Sequence, residues 1–299
     1  MYNYGMKKAL MLITIGIFIA AVAIIYVVQF RSIHQNLPEA ERSVIHTVQN
    51  VIKDISAPGP LVKKDGAPSP STATLTADGV LRWTNTQRQN NGGLPALSDD
   101  TQLNVIAALR LKDMFDKQYF AHVSPLGESA STLADAHAYT FIAIGENIAL
   151  GNFDGDKGLV QAWMDSPGHR ANILSHRFNS IGVAVGQGVF EGQQTWIGVQ
   201  VFSLPLATCP QPDEAVKASI ESLKKKIEDE GAAAAALRQE LDGTKPKTPE
   251  EQDAYNKKAR QYNSLVQDIN DLVDQTKKLV TEYNGQVDAL NACIAKTGK

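Results

Sequence analysis

Cysteine and net charge are what this sequence has least of. Only Cys209 and Cys293 occur in 299 residues, which leaves residues 75–203 without a thiol or a disulfide. The 29 lysines and arginines nearly balance 32 aspartates and glutamates, for a net charge of −3. That balance excludes the basic footprint expected of a nucleic-acid-binding chain. There is no His-Glu-x-x-His helix, so the common zinc-protease pattern is excluded. No serine or cysteine is marked out as an activated nucleophile. The length still suffices for one good-sized core with accessory elements.

What is present begins with an apolar run. Ala9–Phe30 carries no charge, and only Thr14 and Gln29 are clearly polar. As a helix, 22 residues would span about 33 Å, enough to cross a bilayer. Lys7 and Lys8 precede the run, which keeps residues 1–8 in the cytoplasm and places everything after Arg31 outside. The rival reading is a signal peptide cleaved after Ala21-Val22-Ala23, but Ile24-Ile25-Tyr26-Val27-Val28 prolongs the run beyond a normal signal core. A single-pass anchor over 9–30 is therefore expected, with the rest of the chain at the outer face of the cell membrane.

Residues 31–74 read as a stalk and a linker. Val44, Val48, Val51 and Ile55 follow helical spacing, and 57–73 holds four prolines with several Ser and Thr. The globular part is expected over 75–205. Thr76 is a plausible N-cap, and Asn91-Gly92-Gly93 ends the helix it opens. Ser98-Asp99-Asp100 opens a second helix with Leu103, Ala107, Leu111 and Met114 as its buried stripe. A short helix over 131–138 and another over 156–165 follow, the latter stopped at Ser166-Pro167-Gly168. Ile181, Val183 and Val185 alternate, as do Ile197, Val199 and Val201, so they form an antiparallel hairpin turning over 186–194. Helices followed by strands give an α+β domain.

After Cys209 the pattern changes to helix alone, over 206–299. One row runs Ala259, Val266, Val273, Val280, Val287, Ile294; a second runs Tyr262, Ile269, Thr276, Tyr283, Leu290. Rows seven apart and offset by three form a coiled-coil seam. A break over 243–249 makes it a hairpin, and 16 acids against 14 bases over 213–299 make its surface a mixed solvated one. The seam could also hold a protein partner or a second copy. Cys209 and Cys293 bracket this hairpin and lie in an oxidising compartment. A bridge within the chain, a bridge between two chains and two free thiols are all compatible with their spacing.

The chemistry concentrates in three short pieces. They are Phe120-Ala121-His122-Val123-Ser124-Pro125, Gly145-Glu146-Asn147-Ile148-Ala149, and the stretch from Ala162-Trp163 through Asp165-Ser166-Pro167-Gly168-His169-Arg170-Ala171-Asn172 to Leu174. Imidazoles and carboxylates brought together can bind a divalent cation or move protons. Asn147 and Asn172 are expected to hold turns, Ser124 to shape one, and Trp163 to pack its helix onto the sheet.

These pieces, with Asn85 and Arg88 in the first helix, resemble the CAP superfamily of cysteine-rich secretory, antigen 5 and pathogenesis-related proteins, in its bacterial, SCP-like form. The resemblance covers about residues 75–203. It implies an α-β-α sandwich with a central antiparallel sheet and a cleft lined by His122, Glu146 and His169. Family members place two histidines and two acids there, and some bind a divalent cation such as zinc. The second acid normally stands three residues after the helix tryptophan; that position here is Ser166, with Asp165 just before it. The cleft set is thus His122, Glu146, His169, Asp165 and Ser166, with His122, Glu146 and His169 as the metal set.

Three functions follow from this reading. First is an extracellular or periplasmic binding module, not an enzyme, whose cleft takes a divalent metal, a lipid, a glycan or a peptide. Second is a metal-assisted hydrolase. Third is a surface scaffold working through the coiled coil. Because no nucleophile is visible, the binding module stands first.

Overall fold

The computed structural model of the protein describes residues 57–63 and 74–297. The expected cytoplasmic tail, membrane anchor and helical stalk lie outside the described residues. Among the described residues, no helix is long and apolar enough to cross a membrane.

Local capping sets the helices. Helix α1 spans Ala77–Asn90, and the Thr76 side chain accepts a hydrogen bond from the Gly79 amide. Helix α2 spans Thr101–Lys117; the Asp100 carboxylate accepts from Gln102 and Leu103 at its start. Helix α3 is Ala130–Ala136, opened by Ser129 and Thr132 as a reciprocal capping box. Helix α4 is Gly155–Asp165. The expectation that Pro167 simply ends it is corrected: Pro167 stands at the first position of helix α5, Pro167–Ile173. Proline has no N–H to lose there and its φ suits a helix start.

Five strands form one mixed sheet. In chain order they are β1 (Leu61–Val62), β2 (Ser98–Asp99), β3 (Phe141–Gly151), β4 (Ser180–Phe190) and β5 (Gln193–Pro205). Their spatial order is β1-β3-β5-β4-β2. The central three are antiparallel, but the two-residue edges pair in parallel, β1 on β3 and β2 on β4. Two expectations are corrected here. The sheet is not purely antiparallel, and the proline-rich stretch is not only a linker, because Leu61 and Val62 join the sheet edge. Edges only two residues long discourage pairing with other chains.

The hairpin over β4 and β5 is longer than its apolar alternation suggests. It turns at Glu191 and Gly192, two successive residues with positive φ, as a tight two-residue loop requires. Gly182 lets α2 lie on β4, since a Cβ there would sit 2.1 Å from the Leu103 backbone. Leu103, Ile106, Ala107 and Met114 of α2 then share a core with Ile144, Ile148, Val199 and Val201 of the sheet. On the opposite face, Trp163 is fully buried over Gly198.

The chain divides into two compact units. One runs to Pro210 and includes the last residues from Ala292; the other contains Gln211–Asn291. In the second unit, α6 (Glu214–Gly243) and most of α7 (Pro249–Thr297) contribute to one apolar cluster. It contains Ile220 and Ile227 of α6 with Tyr262, Ile269, Val273, Tyr283 and Val287 of α7. Lys258 pairs with Glu240, and Gln286 accepts from the Asp213 amide, so the two helices run antiparallel. Tyr262, Ile269, Val273, Tyr283 and Val287 of the two rows are thus buried within the chain's own pair of helices. Cys209 and Cys293 form a disulfide with Cα atoms 5.8 Å apart.

Candidate functional site

Glu146 is the centre of the site. It lies in the middle of β3, where every residue from Phe141 to Ala149 is buried. A carboxylate there needs compensation, because burying an unpaired charge is costly. Arg110 provides it from α2: its Nε donates to Glu146 Oε1 at 2.9 Å, and both side chains are almost wholly buried. The same guanidinium donates to the Tyr119 hydroxyl and the Ala121 carbonyl, each at 2.7 Å. Burial alone would lower the Arg110 pKa, but Glu146 outweighs it and holds the pKa above the ordinary value. Burial, with a hydrogen bond to Asp113, raises Tyr119 to about 12, so it remains a phenol.

These bonds from Arg110 fix the loop that carries His122. The His122 ring places Nδ1 2.7 Å from Glu146 Oε2. A carboxylate can only accept, so Nδ1 carries the proton and, in the neutral ring, Nε2 carries the lone pair. That Nε2 is buried and has no hydrogen-bond partner. Ser124 shapes the loop as expected: its hydroxyl accepts from the amides of Leu126 and Glu128.

His169 comes from α5 and is 1% exposed. Its Nδ1 lies 2.8 Å from Ser166 Oγ, and its Nε2 is also buried, with the Ile148 backbone as the other group that acts on the ring. A buried polar chain holds its helix. Thr84 accepts from Gln200, Gln200 accepts from Asn147, and Asn147 donates to the His169 carbonyl while accepting from Asn172. Asn147 and Asn172 therefore tie a strand to a helix and do not hold turns. Asn85 bonds both ways with the Leu97 backbone. Arg88 is buried and donates to the carbonyls of Pro95, Ile173 and Ser175, which fastens the end of α5.

Burial first, and the neighbouring His122 ring second, lower His169 to about pH 4. The sign of the consequence follows from linkage. In the unfolded chain this histidine titrates near its ordinary 6.5, so below that pH the unfolded state takes up a proton that the folded state refuses. Stability should be flat above pH 6.5 and fall between pH 6.5 and 4, by about 3 kcal/mol from this residue. Urea titrations of wild type and His169→Gln across that range should differ in slope by this amount. Parallel slopes would show that His169 titrates normally.

The structure therefore brings His122, Glu146, His169 and Ser166 into one neighbourhood but excludes Asp165. That residue ends α4 on the exposed side, where Gln161 donates to its carboxylate. The metal set also needs correction. Among the described residues, no three His, Cys, Asp or Glu side chains are placed to hold a metal ion. Glu146 has one oxygen on Arg110 and the other on His122, so it orients a histidine from behind. Only two imidazole nitrogens remain, fewer than the three protein ligands of a catalytic zinc. Arg110 went unnoticed in the sequence, although it lies seven residues after Leu103, on the buried stripe of α2.

His122 and Glu146 open onto a cavity of about 250 Å³. Ser129, Ser131, Gly145 and Ala57 share its wall.

Residues 81–202 match the family model CAP, described as the cysteine-rich secretory protein family. This segment is a CAP domain. The chain is 37% identical over 128 residues to "Uncharacterized protein YkwD" of Bacillus subtilis (strain 168), covering 43% of this chain and 48% of that one. It is 34% identical over 113 residues to "Uncharacterized membrane protein YlbC" of the same organism, covering 38% and 32%. The chain thus spans about half of the first relative and a third of the second. A crystal structure of an extracellular protein containing a SCP domain from Bacillus anthracis str. Ames is 30% identical, with a TM-score of 0.36, over 47% of this chain and 45% of that one.

Proposed function

We propose that the CAP domain is a binding module working outside the membrane, carried there by the anchor expected over residues 9–30. The observation that supports this is the His122 ring, locked through one nitrogen by Glu146 while the other is buried and unpaired beside a cavity. A pre-oriented acceptor of that kind suits an O–H or N–H donor of a bound molecule. The serines across the cavity supply further hydroxyls, and exposed Val123 at its wall supplies apolar contact.

A divalent cation is the second candidate ligand, held by the two imidazoles. With two nitrogens and no free carboxylate, its binding should be weak. The experiment is calorimetry of the full-length protein with zinc, together with native mass spectrometry for a retained small molecule. A weak heat abolished by either His122→Ala or His169→Ala would support cation binding. A retained molecule lost in His122→Ala would support the cleft as its seat. The absence of both a His122-dependent heat and a His122-dependent adduct would overturn the binding reading.

A further inference from the structure

The domain carries a strap across the edge of its own cleft. Residues 57–63, Ala-Pro-Gly-Pro-Leu-Val-Lys, begin at the cavity and end at the sheet. Ala57 lines the cavity with His122 and Glu146. Pro58 packs on Gly168, next to His169, so closely that a Cβ at Gly168 would lie 2.6 Å from the proline ring. Leu61 and Val62 pair in parallel with Ala149 and Leu150 of β3, and the Lys63 amide donates to the Leu150 carbonyl at 3.0 Å. The Lys63 ammonium then donates to the Asn152 carbonyl at 3.0 Å and lies over the Phe153 ring.

Two bare positions make this a seat and not a chance contact. Gly168 clears room for Pro58. Gly151, at φ +142°, clears room for Lys63, whose Cβ would be 2.9 Å from any Cβ there. Backbone pairing along an exposed edge is how a sheet takes up an extended peptide, and the Pro58 and Lys63 contacts fix the two ends of this one. The strap is proline-rich, so little conformational freedom is lost when it lies extended.

We propose that the β3 edge beside the two histidines is a peptide groove, and that Ala57–Lys63 occupies it as a tethered, displaceable ligand. The proposal rests on the binding-module reading and names its ligand class: an extended peptide with proline, then aliphatic residues, then lysine. Because the tether gives the strap an effective concentration on the order of millimolar, a free peptide meets a strong internal competitor. Release of the strap would expose the groove and the cavity wall that Ala57 covers.

The test uses the full-length protein and a fluorescent peptide of sequence APGPLVK, followed by anisotropy. Lys63→Pro removes the amide that bonds to Leu150 and the ammonium hook, and the site residues are left intact. This variant should bind the peptide about tenfold or more tightly than wild type. Adding Gly168→Val, which fills the Pro58 seat, should abolish that binding. In wild type, excess peptide should speed amide exchange in 61–63 while β5 stays protected, a readout that needs no variant. Equal affinity in wild type and Lys63→Pro, together with unchanged exchange of the strap, would overturn the proposal. If the His122-dependent ligand signal survived that outcome, the strap reading alone would have failed.

Discussion

Arg110→Met should lower the unfolding free energy of the CAP domain by about 3–5 kcal/mol, the usual cost of removing one partner from a buried pair. The loss is not the value of one ion pair. Methionine leaves the Glu146 carboxyl, 5% exposed at its side chain, with only His122 to answer it. It also strips a donor from the Ala121 carbonyl and another from the Tyr119 hydroxyl. Arg110→Lys should fall between, because an ammonium keeps the charge but cannot reach three acceptors in a planar fork. The informative variant is the double change, Arg110→Met with Glu146→Leu. Removing both charges should recover a large part of the loss, since well-packed apolar pairs replace buried ion pairs at little cost. Urea unfolding of the three variants gives the comparison. A single-variant loss under about 1 kcal/mol would mean that Glu146 finds other compensation.

Capping and periodicity made most of the helices legible. Thr76 and Asp100 start their helices by side-chain bonds to their own backbone, a local effect readable from a few residues. The heptad rows of α7 were readable for the same reason, and Tyr262, Ile269, Val273, Tyr283 and Val287 do form its buried face. Strand β3 was not readable. It is covered on both faces, so it shows no alternation, and Gly145-Glu146-Asn147 in its middle has the composition of a loop. Helix α5 is seven residues long and opened by a proline, and both features hide a helix from periodicity. The strap was hidden by its composition. Four prolines across 57–73 argue for a linker, and only the tertiary fit of Pro58 on Gly168 and Lys63 by Gly151 shows otherwise.

At the site, the motifs marked the histidines and Glu146 but not their roles. Whether a carboxylate faces a ligand or stands behind a histidine depends on its neighbours. Arg110 comes from 36 residues earlier, beyond the reach of any local pattern. The choice between Asp165 and Ser166 depends on a single residue's rotation at the junction of α4 and α5. Asp165 faces Gln161 one turn back on α4, whereas Ser166 starts the next helix and meets His169 three residues on.

Opening the Cys209–Cys293 bridge should be the second large effect. The loop it closes has a sequence separation of 84, which in the chain-entropy model corresponds to about 4–5 kcal/mol of destabilisation when the bond is lost. Helix α6 has 30 residues and α7 has 49, and the register shows how helices of unequal length still bring the cysteines together. Asp213 meets Gln286, leaving seven residues of α7 to reach Cys293, about 10 Å of helix. Residues 209–213 run mostly extended and cover about 13 Å, enough to bring the thiols together. Cys209→Ser with Cys293→Ser should therefore leave the helices in place but lower the denaturant midpoint of the unit built from α6 and α7. Circular dichroism at 222 nm, with and without reductant, would follow that transition. Reductant should shift the wild type to the position of the double variant and leave the variant unmoved. If oxidised and reduced wild type unfold together, the bridge does not constrain the unfolded chain. If the oxidised protein runs as a dimer on a non-reducing gel, the cysteines pair between chains.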